Sequence, residues 1–209
     1  MKSTPNPPRS QTLKFVAIGL LALSIGLVSW IGFSLYRGQT PLGGGTGTAL
    51  VGGAFTATDH TGKAITEKDF HDRYMLAYFG YTFCPDVCPG ELQIIGAAMD
   101  LIGEKAEQIR PVFFTVDPAR DTAEVLADYV PHFHDRMIGV TGTTAQMAAV
   151  AKAYRVYYAK VKAAEEGGVY LMDHSSLIYL MDRDGKYVRH FNYGTPPEDI
   201  AKALNEILS

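Results

Sequence analysis

The chain has two cysteines, and they stand four residues apart in Cys84-Pro85-Asp86-Val87-Cys88-Pro89. Paired thiols at this distance can hold a soft metal ion or exchange with a disulfide. The thioredoxin-type redox pattern is C-x-x-C. Here three residues intervene, and the wider loop has room for two sulfurs around a metal. A disulfide across the loop stays feasible, because loop geometry can bring two Cα atoms within about 6 Å. An oxidised pair would join to itself or to a partner chain, since no third cysteine exists. Two inert core cysteines are the plain alternative. A Pro-Asp loop directly after an apolar run argues against it.

Each cysteine precedes a proline, and a residue before proline is pushed away from the α region. Residues 84–88 are therefore expected as an irregular loop. Pro89 suits the first helical position, which would make Cys88 the N-cap. Free N–H groups and the helix dipole would stabilise a thiolate there. Two thiolates plus an imidazole suit a soft, late ion, and thiolates select Cu(I). Zinc in a structural site takes a fourth protein ligand, which Asp86 could supply. The choice of metal stays open on chemistry alone.

The elements that would position these groups can be read from apolar periodicity. FTAT, DHTG and KAIT form a short hairpin around an Asp/Gly turn. Thr66 caps a one-turn helix, EKDF. YMLAYFGY at 74–81 is a nearly continuous apolar run, expected as a central strand buried on both faces. Residues 89–105 carry helical spacing at Leu92, Ile95, Met99 and Ile102. RPVFFTV at 110–116 is a second buried strand, followed by DPARDT. Asp121 or Thr122 caps a helix over 123–132. A strand at 138–141, a helix at 144–154 and a strand at 156–161 follow, then a polar loop at 162–169. Residues 176–181 and 186–191 form a hairpin across Asp184-Gly185. Pro197 opens the last helix at the position proline favours. This alternation predicts an α/β fold with a mixed sheet and an N-terminal hairpin extension.

Six histidines could complete the site. His60 lies in a turn and His71 near a surface helix, and both read as solvated. His132 and His134 form an H-x-H pair at a helix end, where histidine commonly neutralises the dipole. His190 lies within a strand. His174 stands in MDHSS, immediately before SLIYLM. In thioredoxin-like folds the segment entering this strand faces the redox loop and usually carries a cis-proline. Here Asp173-His174-Ser175 takes that place, which puts an imidazole opposite the two sulfurs. Asp86 and Asp173 are candidates to orient His174 or tune charge, with solvated loop acids as the plain alternative. Asp117, between the second buried strand and Pro118, is either a neighbour of the site or a structural turn residue.

The 209 residues carry 19 basic and 22 acidic side chains, a net charge of −3. No basic excess points to nucleic acid. Residues 15–36, FVAIGLLALSIGLVSWIGFSLY, contain no charged side chain. At 1.5 Å per residue they span roughly 33 Å, enough for a bilayer core. Lys2, Arg9 and Lys14 precede the stretch and Arg37 follows it, so the positive-inside rule keeps residues 1–14 cytoplasmic. The stretch exceeds a signal-peptide core, and no A-x-A cleavage site follows it. Residues 37–48 are a Gly-rich tether. A domain of ordinary core size is expected over 49–209.

The chain resembles the Sco (SenC) family of copper proteins. The resemblance rests on YFGYTFCPDVCP at 78–89, VDPARDT at 116–122 and YLMDHSSLIYLMDRDG at 170–185. The anchor, the tether and the FTATDHTGK hairpin extend it over nearly the whole chain. It implies a thioredoxin-like fold and copper, as Cu(I) or Cu(II), bound by Cys84, Cys88 and His174. It further implies a role in building the copper A centre of cytochrome c oxidase subunit II. The partners that follow are that subunit, a copper donor, a thiol reductant and the membrane through 15–36, with no nucleic acid. The long anchor with a short leading tail fits a bacterial inner-membrane member with its domain in the periplasm. A mitochondrial inner-membrane location is the alternative. The rival activity is thiol–disulfide exchange by Cys84 and Cys88, reducing the copper A cysteines before metallation. A peroxiredoxin-like peroxidase fits poorly, because Thr82 stands two residues before Cys84 where that chemistry places a Thr three before.

Overall fold

The structure, a computed structural model, describes residues 51–161 and 170–208, with six residues between 23 and 30. The chain divides into two compact units, Met1–Thr48 and Ala49–Ser209. In the first, most of the expected anchor, the tether and the leading tail lie outside the described residues. Leu23, Ser24, Gly26, Leu27, Ser29 and Trp30 are helical and exposed. Among the described residues no helix is long and apolar enough to cross a membrane. The polar loop at 162–169 also lies outside the described residues.

The second unit is built on a seven-stranded mixed sheet. Its strands are β1 (Thr56–Asp59), β2 (Ala64–Thr66), β3 (Tyr74–Gly80), β4 (Ile109–Thr115), β5 (Ile138–Thr141), β8 (Ile178–Met181) and β9 (Tyr187–Phe191). They lie in the order β2-β1-β5-β4-β3-β8-β9. The central β5, β4 and β3 run parallel, and both flanks are antiparallel. A separate two-stranded ribbon pairs β6 (Tyr158–Val161) with β7 (Leu171–His174). The helices are α1 (Val87–Leu101), α2 (Ala123–Tyr129), α3 (Thr144–Ala153) and α4 (Pro197–Ile207).

The apolar runs explain the middle of the sheet. In β3 only Tyr74 keeps appreciable exposure, as expected for a strand covered on both faces. Phe79 stacks on Phe114 of β4 with ring centroids 4.9 Å apart. Tyr154 packs on both rings, at 5.3 and 5.7 Å. The one-turn helix Glu67–Phe70 is fixed by Asp69, whose carboxylate accepts the Thr66 N–H at 2.8 Å. Thr122 rather than Asp121 caps α2, its hydroxyl accepting the Val125 N–H at 3.3 Å.

One expectation is corrected. The helix after the cysteine loop begins at Val87, with Asp86 as N-cap, so Cys88 lies in the first turn. Proline lacks an N–H, and the first turn of a helix does not use one. Pro89 therefore sits inside that turn rather than at its first position, and the helix reaches back over Cys88.

Topology brings three segments to one end of the sheet. Gly80 and Thr115 are register partners at the C-terminal ends of parallel β3 and β4. The cysteine loop and residues 116–122 therefore leave side by side, and the Val116 N–H donates to the Gly80 carbonyl at 2.8 Å. Because β8 runs antiparallel to β3, with Ile178 opposite Tyr78, the segment entering β8 arrives at the same end.

The helix carrying Cys88 is seated by a close backbone approach. A methyl group at Gly96 of α1 would collide with the Phe133 carbonyl oxygen, and backbone cannot yield as a side chain can. Overpacking of this kind costs about 1–3 kcal/mol. Gly96→Ala is expected to lower the unfolding free energy by that amount, read from urea midpoints. An unchanged midpoint would show that the Phe133 segment does not bear on α1.

Candidate metal centre

Cys88 is fully buried and Cys84 half-buried, and both are free thiols. The Cys88 sulfur lies 3.3 Å from Nε2 of His174, across 86 positions of sequence. Cys84 Sγ accepts the Cys88 backbone N–H, also at 3.3 Å. The first-turn amide that the sequence assigned to thiolate stabilisation thus serves the other sulfur. The Cys88 sulfur occupies space left by Gly80, where an added Cβ would stand 2.9 Å from Sγ.

His174 ends β7, opposite Tyr158 in the ribbon. Its Nδ1 lies 3.2 Å from the Ser175 carbonyl oxygen. A carbonyl only accepts, so Nδ1 carries the proton and Nε2 turns a lone pair toward Cys88. Tyr78 and Tyr81 stand edge-on to the imidazole, with centroids 6.2 and 6.0 Å away. Burial holds the His174 pKa below its ordinary value, against the opposing effects of the Ser175 carbonyl and the Asp173 charge. The neutral ring is the form that ligates a metal.

Burial also pushes the Cys88 thiol up, and the neighbouring Cys84 sulfur adds to the rise. This reverses the low-pKa expectation for Cys88. Desolvation of a fully buried thiolate outweighs the field of one helix terminus.

A hollow of about 230 Å³ opens at this end, lined by residues that include Tyr81, Cys84, Asp86, Asp173 and His174. Asp86 and Asp173 are both exposed. Asp173 acts on His174 through its charge, while the ring is oriented by the Ser175 carbonyl. Among the described residues no three His, Cys, Asp or Glu side chains are already gathered around one point. Cys88 and His174 are in contact, and Cys84 lies beside Cys88 with its Sγ on the Cys88 N–H.

The other histidines lie elsewhere. His60 accepts the Gly139 N–H at 3.1 Å and is half-buried rather than solvated. His134 accepts the Arg136 N–H at 3.1 Å and lies 3.8 Å from Asp100. His190 Nδ1 lies 2.6 Å from the Tyr187 hydroxyl.

Supporting residues surround the site; the sequence offers Asp117 as a neighbour of the site or a turn residue and Asp121 as a helix cap, and it gives Glu91 no role. Asp121 is fully buried, and its carboxylate accepts the Thr82 N–H at 3.1 Å, the Thr82 hydroxyl at 2.6 Å and the Thr115 hydroxyl at 2.5 Å. It ties the approach to Cys84 onto the end of β4. Asp117 is also buried; it pairs with Arg120 and accepts the Tyr170 hydroxyl at 2.9 Å. Two acids directly after a buried strand were the available signal. Glu91 is buried one turn after Cys88, and its Oε1 accepts the Gly194 N–H at 2.8 Å. Its signal was an acid falling on the apolar stripe with Leu92 and Ile95.

Fold and site together define a thioredoxin-like domain that presents a dithiol and an imidazole at one strand end. The SCO1/SenC family profile matches residues 43–209, and the chain belongs to that family. The "SCO2-like protein" of Rickettsia felis is 34% identical over 200 residues, covering 94% of this chain and 97% of that one. The human "Protein SCO1 homolog, mitochondrial" is 39% identical over 160 residues, 76% of this chain and 53% of that protein's length. The copper-bound structure of Bradyrhizobium japonicum ScoI is 42% identical, with a TM-score of 0.69, covering 75% of this chain and 98% of that one.

Burial holds the Glu91 carboxyl above its ordinary value, and the Gly194 N–H opposes the rise. A raised native pKa means that folding favours the protonated form. The stability it contributes is full below the ordinary carboxylate pKa and is lost as pH rises through the native value. Glutamine does not titrate. Glu91→Gln is therefore expected to gain stability relative to the parent as pH rises from the ordinary carboxylate range through the raised native value, read from paired urea midpoints. A pH-independent difference would place Glu91 in ordinary ionic contact with water.

Proposed function

We propose that this chain is a membrane-anchored copper chaperone. It holds one copper ion through Cys84, Cys88 and His174 and delivers it to the copper A site of cytochrome c oxidase subunit II. The observation that carries the reading is the 3.3 Å approach of Cys88 Sγ to His174 Nε2. Metal–sulfur and metal–nitrogen bonds of about 2.3 and 2.0 Å let two such donors on one ion lie up to about 4.3 Å apart. A buried sulfur and a neutral imidazole, with a second thiol four residues away, form a soft donor set that suits copper better than a hard cation. The copper-bound relative from Bradyrhizobium supports the same metal.

The chemistry of the site suits a cargo ion. Cys84 lines the open hollow, while Cys88 lies behind it. An incoming thiolate of the acceptor would meet copper from the Cys84 side and displace that ligand first. Loading displaces the Cys88 proton, so affinity falls as pH drops. Residues 15–36 anchor the domain in the bacterial inner membrane, and residues 37–48 let it move in the periplasm. The mitochondrial relative supports the mitochondrial inner membrane as the alternative setting. Asp86 and Asp173 set the charge at the mouth of the hollow.

Thiol–disulfide exchange is the second reading, favoured by the two free thiols held in one loop. Such a reductase would act on the copper A cysteines before metallation, and it has no use for an imidazole. The two separate on one substitution. His174→Ala is expected to abolish copper retention through gel filtration and to leave exchange with a small disulfide largely intact. Copper retention equal to the parent's would remove the metal assignment and leave the dithiol activity.

A further inference from the structure

Three segments meet at one guanidinium beside the site. Arg120 lies in the loop after β4, and its Cζ stands 3.8 Å from the ring centroid of Tyr170 and 4.8 Å from that of Phe83. Phe83 immediately precedes Cys84, and Tyr170 immediately precedes β7, the strand that ends in His174. Arg120 Nε pairs with buried Asp117. Its Nη1 donates to the Tyr170 carbonyl at 3.1 Å. The Tyr170 hydroxyl closes the ring of contacts on the other Asp117 oxygen at 2.9 Å.

This arrangement matters because of where the ribbon is attached. Among the described residues the ribbon carrying His174 forms no strand pairing with the main sheet, and its ladder is β6 with β7. At its His174 end the ribbon is tied to the sheet by residues 175–177, which lead into β8 and its pairing with β3; a second contact is needed to set the direction of the ribbon. The Arg120 cluster is a polar and aromatic contact at the other end of the ribbon, beside Leu171, where it holds the start of β7 over the cysteine loop. An exposed ion pair contributes little, but Asp117 is only 2% exposed. A planar guanidinium can ligate a carboxylate, donate to a carbonyl and stack on rings at once, which an ammonium cannot.

Resting on the copper reading above, we infer that Arg120 is the positioning residue of the metal site. It clamps the start of β7 against the cysteine loop and so holds His174 within reach of the two sulfurs. Arg120 touches no ligand atom of copper itself.

The test uses the full chain in detergent, loaded with Cu(II). Three readouts are taken: the thiolate-to-copper visible band, the imidazole nitrogen coupling in the electron paramagnetic resonance spectrum, and Cu(I) affinity by chelator competition. Arg120→Lys keeps a cation beside Asp117 but loses the second donor and the stacking plane. It is expected to unfold at the parent's temperature when metal-free and to retain the thiolate band. It should lose the nitrogen coupling and bind Cu(I) about 10- to 100-fold more weakly, the usual range when a residue orienting a metal ligand is removed. Tyr170→Leu removes the stacking ring from the ribbon side and is expected to give the same spectrum, so the test survives if one variant fails to fold. Parent-like nitrogen coupling and affinity in either folded variant overturns the positioning role. A parent protein without nitrogen coupling overturns the copper reading, and the positioning role with it.

Discussion

The carboxylate of Asp121 is the interaction on which the site's frame rests. It is buried without a cation, and it is satisfied instead by two threonine hydroxyls and one backbone N–H. Burying a carboxylate costs free energy unless such donors are in place. Those donors come from two different segments, so the loop leading to Cys84 and the end of β4 have to be set against each other before the carboxylate is satisfied. Its backbone carbonyl accepts the Thr141 hydroxyl at 2.6 Å, which brings in the end of β5 as well. Three parallel strands are thus locked at the end where the chemistry sits.

Within that frame the two sulfurs have different environments. Cys88 is sealed behind the sheet end, in space that Gly80 leaves open. Cys84 rests on the helix amide and borders the hollow. The sulfur that keeps its proton most firmly is also the one nearest the imidazole. A metal entering here replaces that proton, and the neutral ring is ready to share the ion. Burial therefore raises the threshold for loading while favouring the neutral ligand form of histidine.

Much of this was legible in the sequence. The run at 74–80 reads as a buried central strand because it holds no charged side chain and its apolar residues fall on both faces, and every position but the first is buried. The cysteine spacing, the Asp-Gly hairpin and Pro197 at a helix start are local signals with local physical causes. His174 could be placed because it enters the strand that flanks β3. The roles that stayed open depend on long-range register. Asp117, Arg120 and Asp121 look like a capped turn until β3 and β4 end side by side. β7 escaped because its partner among the described residues, β6, lies across a connection with no strand periodicity. The start of α1 was misplaced because proline was read only at its most favoured position, although the whole first turn tolerates it. The Cys88 pKa was misjudged because solvent exclusion depends on tertiary packing, which a motif does not reveal.

The ribbon has a consequence for how such a protein can diversify. Its ladder pairs Tyr158 with His174 at the root and Val161 with Leu171 farther out. Residues added or removed between 162 and 169 leave the root pairing in register, because a ladder transmits no offset from its open end. The Tyr158–His174 pairing and the Tyr170 contact with Arg120 both lie outside that stretch. Selection can thus change the length and chemistry of residues 162–169 while the imidazole stays where the sulfurs need it.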